Sequence, residues 1–192
     1  MNKSDLKGNF HCHITYSGHK RVSVSGWKDT IIIINKDDRF QEDVMITRHY
    51  FVPSKKTPTL QDVIDDIHRV KLLIETNVRV TRWKLEHESL PTIPTTDYNY
   101  RECHIKIRIP RGYQVIPPDG FVMSRNAMEK IADTEVYFLN ARFYKGTIDS
   151  INETIQRSVS LLKRMNPLLM VLEVKEETTI FDSNFSLDSW WA

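Results

Sequence analysis

The chain has 192 residues, with 27 Lys+Arg against 25 Asp+Glu and a formal net charge of +2 with His neutral. Hydrophobic residues at 40% and charged residues at 27% match ordinary globular usage and exclude a disordered chain. So small a net charge excludes wholesale binding to duplex DNA, and two cysteines without a CxxC spacing exclude a disulfide framework.

The first residues carry no apolar signal core, and no apolar run approaches the roughly 20 residues needed to span a bilayer. The sequence therefore predicts a soluble, reduced, cytoplasmic protein with no membrane partner. No Walker loop, GxGxxG or GxSxG motif occurs, so nucleoside triphosphate hydrolysis and serine hydrolase chemistry have no support.

In chain order, Phe10 to Tyr16 alternates apolar and polar residues and reads as a strand. Ile31 to Asn35 and Val44 to Val52 follow as two more. From Thr59 to Thr76 the apolar positions Leu60, Val63, Ile64, Ile67, Val70 and Ile74 form the stripe of an amphipathic helix, with Pro58 and Thr59 at its start. Val78 to Glu86 returns as a strand. The second half gives strands at Glu102 to Ile109, Phe121 to Arg125 and Glu135 to Tyr144, a helix from Thr147 to Met165, and a strand from Leu168 to Ile180.

Each half thus reads β-β-β-α-β, and the sequence repeats with it. Cys12-His13-Ile14 recurs 91 residues later as Cys103-His104-Ile105; Lys84 and Glu86 recur at the same offset as Lys175 and Glu177. Arg48-His49-Tyr50 recurs as Arg142-Phe143-Tyr144, 94 residues on. The links Ser17 to Thr30 and Pro110 to Gly120 could hold loops, a short strand or a broken helix, and a helix there would make each half a ferredoxin-like βαββαβ unit. The expected fold is α+β: two similar ferredoxin-like lobes from an internal duplication, related by a pseudo-two-fold, with mostly antiparallel sheets packed face to face. The expected boundaries are 1–90 for the first lobe, 91–100 for a Pro- and Thr-bearing linker, and 101–192 for the second lobe, whose tail with Trp190 and Trp191 docks on the body.

Strand alternation puts His11, His13 and Thr15 on one face of the first strand, and Glu102, His104, Lys106 and Arg108 on one face of its counterpart. The apolar faces are expected against the helices, and the polar faces are expected to converge on a cleft. His13-Ile14-Thr15-Tyr16 and His104-Ile105-Lys106-Ile107 are two His-apolar-x-apolar tetrads, one per half. This pattern resembles the two-histidine (2H) phosphoesterases, which cleave 2′,3′-cyclic phosphates, 2′-5′ linkages and related cyclic nucleotide bonds without metal. The chain also resembles bacterial and phage proteins of the same duplicated layout. Lys106 departs from the 2H pattern, which has Ser or Thr at that position in both tetrads.

The resemblance implies a phosphodiesterase-type hydrolase acting on an RNA end or a small cyclic or oligonucleotide, with no cofactor. His13 and His104 would be general acid and base, roles that suit a side chain with a pKa near 6.5. Thr15 and Lys106 would hold phosphate oxygens. Arg48 with Tyr50 and Arg142 with Tyr144 are candidate substrate-binding pairs, since an arginine beside an aromatic ring suits a phosphate or a stacked base. Arg125, in a loop-like Ser-Arg-Asn run, is a candidate anion contact.

Two other readings compete. One is a non-catalytic nucleotide- or protein-binding module on the same scaffold. The other is a zinc site built on His11 and His13, two apart on one strand face, with a third ligand from His104, His49 or Glu102. Lys84, Glu86, Glu88, Lys175 and Glu177 read as a charged outer strand face.

Overall fold

The computed structural model describes residues 8–18, 20–36, 39–50, 58–88, 100–126 and 133–184. In chain order the elements are β1 (Phe10–Ser17), β2 (Lys28–Lys36), β3 (Arg39–Tyr50), α1 (Leu60–Ile74), β4 (Arg79–His87), β5 (Tyr100–Pro110), β6 (Val122–Asn126), β7 (Thr134–Phe143), α2 (Ile148–Met165) and β8 (Met170–Asp182). The hydrogen-bonded strand order is β1-β3-β2-β6-β7-β5-β8-β4, which closes on itself as an antiparallel barrel.

This ring overturns the expectation of two ferredoxin-like α+β lobes packed sheet to sheet. A ferredoxin-like unit needs a helix between its first two strands, and both candidate links are turns instead. Trp27 N–H bonds to Val24 O, Tyr113 N–H to Pro110 O and Phe121 N–H to Pro118 O. The third residue of each turn is a glycine near φ +78° to +79°, at Gly26, Gly112 and Gly120. That is type II turn chemistry, in which a residue with a Cβ would be strained. With no helix among the described residues of either link, β2 and β6 pair with each other (Ile33 opposite Arg125), and β4 pairs with β8 (Lys84 opposite Asp182).

By contacts the chain forms two compact units. The first comprises residues 1–30, 44–99 and 178–187, and the second comprises 31–43, 100–177 and 188–192. Strands β2, β3 and β8 each contribute residues to both. The expected linker, save Tyr100 at the start of β5, and the Trp190-Trp191 tail lie outside the described residues.

In the first unit β1 lies between β3 and β4, antiparallel to both. Helix α1 connects those two flanking strands and covers one face of β1. Its stripe of Leu60, Val63, Ile67, Val70 and Ile74 packs in one core with Phe10, Cys12, Ile14 and Tyr16. Burying each such side chain contributes about 1.5–3 kcal/mol. The helix begins where Thr59 accepts from Asp62 N–H while the Asp62 carboxylate accepts from Thr59 N–H, a reciprocal capping box.

The second unit has the same order of elements. Strand β5 lies between β7 and β8, and α2 packs Ile151, Ile155, Val159 and Leu162 against Cys103, Ile105, Ile107 and Ile109. Thr147 caps α2 by accepting from Ser150 N–H. No helix among the described residues is long and apolar enough to cross a membrane.

Candidate functional site

Covering one face of β1 and β5 with apolar helices leaves the polar residues of each strand on the opposite face. In the first unit, β-pairing sets His11 opposite Glu86, His13 opposite Lys84 and Thr15 opposite Arg82. Residues directly opposite on paired strands share a face. His13 Nε2–H donates to Glu86 Oε2 at 3.0 Å, and His11 Nδ1 is 3.4 Å from the same oxygen. Lys84 Nζ holds the other oxygen of Glu86 at 2.6 Å.

Glu86 is fully buried and Lys84 nearly so, which corrects the expectation of an outer charged face for this pair. Burial pushes the Glu86 carboxyl up, but Lys84 and then His13 outweigh it and hold the group well below the ordinary carboxylate range. For His13, burial and the neighbouring His11 outweigh Glu86 and lower the imidazole to about 4, so it is neutral at neutral pH. Its Nδ1 is shielded from solvent and has no hydrogen-bond partner among the described residues. His11 is itself buried, with its ring stacked on His49 at 3.8 Å between centroids.

The second unit repeats the arrangement with changes. His104 Nε2 lies 3.5 Å from Glu177 and 3.4 Å from Glu102. Lys175 Nζ is 2.8 Å from Glu177, and Arg142 Nε donates to Glu102 at 2.6 Å. Asn140 donates through its amide nitrogen to Ser124 Oγ at 2.7 Å, so its Oδ1 is the acceptor facing His104 Nδ1, also at 2.7 Å. That fixes a proton on Nδ1.

No family model, curated protein or solved structure matches the chain.

The remaining expected site residues divide by face. Thr15 is buried two residues along from His13 on the same face. Lys106 stands two along from His104, its ammonium 5.5 Å from the Phe138 ring centroid. Arg142 shares the face of His104, because its register partner is Glu102.

Arg48 does not join His13: its register partner is Cys12, on the helix-covered face. There its guanidinium donates to Asp66 of α1 at 2.8 Å, and Tyr50 O–H donates to the same carboxylate at 2.7 Å. The two arginines are therefore not equivalent. By register His49 answers to Arg142, and a slip of one residue moves a strand side chain to the other face. Tyr144 is exposed beside Tyr100, with 5.3 Å between ring centroids. Arg125 is exposed on β6 rather than in a loop.

The glutamates are what reading the sequence for function missed. Their signal was present, since Lys84-x-Glu86 and Lys175-x-Glu177 share the 91-residue offset of the histidines. What the sequence does not display is the antiparallel pairing of β1 with β4, which turns that motif inward.

Chemically, a neutral imidazole that donates to a buried carboxylate keeps a lone pair on its other nitrogen and is oriented to take up a proton. The same ring beside a second histidine and a carboxylate oxygen is also a set of metal-ligand types. His11, His13 and Glu86 each offer a ligand atom within 4.8 Å of the others.

Proposed function

We propose that this protein is a phosphoester hydrolase that uses histidine acid–base chemistry without a resident metal, acting on an RNA end or a small cyclic or oligonucleotide. One observation supports it above the rest. In each unit a histidine of the first strand meets a buried glutamate of the last strand, and that glutamate is ion-paired to a lysine two residues earlier. The closed ring of strands adds nothing to the 2H resemblance, so the reading stands on these side chains.

His13 is the base. It is neutral and its Nε2–H is committed to Glu86, so its lone pair is on Nδ1, which is shielded from solvent and must be uncovered for a substrate to meet it. His104 is the acid. Its Nδ1–H is committed to Asn140, and its Nε2 lies 3.4 Å from Glu102 and 3.5 Å from Glu177. Thr15 and Lys106, each two residues along the same strand face, supply a hydroxyl and an ammonium for phosphate oxygens. Lys84, Lys175 and Arg142 offset the glutamates' charge, so a phosphate anion does not meet bare carboxylates.

The test is turnover of 2′,3′-cyclic nucleotides and 2′-5′ dinucleotides by the full chain in the presence of a chelator. His13→Ala and His104→Ala are each expected to lower it by about 100- to 10,000-fold, the usual worth of a positioned acid or base. Nucleotide binding with no turnover would replace this reading with a non-catalytic binding module.

A further inference from the structure

We infer that His11, His13 and Glu86 form a binding site for a divalent zinc-class ion, and that the ion, bound at His13 Nε2, silences the histidine chemistry proposed above by displacing the ring proton to Nδ1, the nitrogen assigned as the base. The inhibitory half rests on that proposed function; the binding half does not.

The geometry carries the binding. Ligand atoms 2.0–2.1 Å from a tetrahedral ion stand roughly 3.3–3.4 Å apart. His11 Nδ1 is 3.4 Å from Glu86 Oε2, and His13 Nε2 is 3.0 Å from it. Both nitrogens therefore stand near zinc spacing from the carboxylate oxygen, and all three ligand atoms lie within 4.8 Å of one another, so small side-chain shifts would admit the ion. All three residues belong to one unit and sit on two paired strands, β1 and β4, rather than on loops. The rings are held in place: His49 stacks on His11, and the His11 and His13 centroids are 4.0 Å apart. Two imidazoles and one carboxylate make a three-ligand zinc set, which leaves the fourth position to water or another small ligand, unlike the four protein ligands of a structural site.

Lys84 shapes the affinity. Its ammonium occupies Glu86 Oε1 at 2.6 Å and leaves Oε2 as a single ligand oxygen. A cation so close opposes a second cation, so the site suits reversible occupancy. Hard ions such as Mg²⁺ prefer several oxygens in octahedral array and fit this nitrogen-rich set poorly.

Among the described residues the second unit does not repeat this set. Glu102 stands where the first unit has His11, and its carboxylate is engaged by Arg142. The inference is therefore one ion bound by His11, His13 and Glu86.

The experiment is a competition titration of Zn²⁺ into the metal-free full chain with a chromogenic chelator, and turnover is followed in parallel. One zinc per chain is expected. His11→Ala should weaken it by more than about 100-fold, beyond the roughly 10- to 100-fold that loss of an outer-shell partner costs. His68→Ala, which removes an exposed histidine of α1, should leave it unchanged. Co²⁺ in the unmutated chain should give the intense visible bands of four-coordinate nitrogen and oxygen ligation, a readout independent of any variant's folding. Turnover should fall along the zinc saturation curve. No stoichiometric zinc, or equal affinity in His11→Ala, overturns the site; turnover that rises with zinc overturns the inhibition. Zinc affinity and the cobalt spectrum decide the site even if no substrate is turned over.

Discussion

Lys84 Nζ lies 2.6 Å from Glu86 Oε1, in a pair whose side chains are 10% and 0% exposed. Breaking one partner of a buried pair leaves a desolvated charge, at a cost of about 3–5 kcal/mol. Lys84→Met is therefore expected to lower stability by that amount in urea denaturation. Lys84→Met combined with Glu86→Leu, which removes both charges, should recover most of the loss. Additive losses would show that the two groups do not act on each other.

The protonation of His13 gives the fold a pH dependence. In the unfolded chain the imidazole takes up a proton as pH falls through about 6.5. In the folded chain burial and His11 delay that to about 4. Between these values the unfolded state binds more protons, so stability falls as pH drops across the window. The contribution of His13 amounts to about 3 kcal/mol by pH 4. Glu86, held ionised by Lys84 and His13 despite its burial, adds loss of the same sign at still lower pH. Urea midpoints from pH 7 to 4.5 should decline, and His13→Gln should flatten the slope above pH 5.

Arg82 donates to both oxygens of Asp182, through Nε at 2.9 Å and Nη2 at 2.6 Å, with both side chains buried. This two-pronged pair ties β4 to the end of β8 across 100 residues of sequence. Arg82→Met is expected to cost about 3–5 kcal/mol. It should also speed hydrogen exchange in Lys84 to His87, which a purely local loss would leave slow.

Both cysteines are fully buried in the apolar cores. Burial pushes the Cys103 thiol up to about 12 and the Cys12 thiol well above its usual value. A thiolate-specific chromogenic disulfide reagent at pH 8 should therefore find almost no reactive thiol in the native protein and two in denaturant. Rapid reaction of Cys12 without denaturant would contradict the packing under α1.

How far the sequence speaks depends on whether the signal is local. The helix stripe from Leu60 to Ile74 and the caps at Thr59 and Thr147 depend on neighbours within a few residues, and they were readable. So was the alternation that separates Cys12 and Ile14 from His11 and His13. The ring of strands was not, because it is closed by β2–β6 and β4–β8 pairs between distant segments. The turns at Gly26, Gly112 and Gly120 did carry a sequence mark, yet links of that length also have room for a helix. At the site, the histidines stood out because their tetrads repeat. Glu86 and Glu177 share that repeat, but their inward direction is not legible in the sequence, since only the pairing partner of a strand decides which of its faces is shielded. Arg48 was misaligned with Arg142 by a single residue, which on a strand is enough to exchange one face for the other.

The division of β8 between the two units has a consequence for biosynthesis. Thr178–Asp182, which completes the first unit beside β4, is the last described strand segment to be made. At about 5 to 20 residues per second, it leaves the ribosome roughly 5 to 20 seconds after β4. Throughout that interval the nascent first unit has an unpaired β4 edge, with Arg82 lacking Asp182. An unpaired edge of that kind invites association with other chains. The N-terminal half should therefore depend on chaperone cover during synthesis, and its folding should be slow, because the decisive contacts are the most distant in sequence.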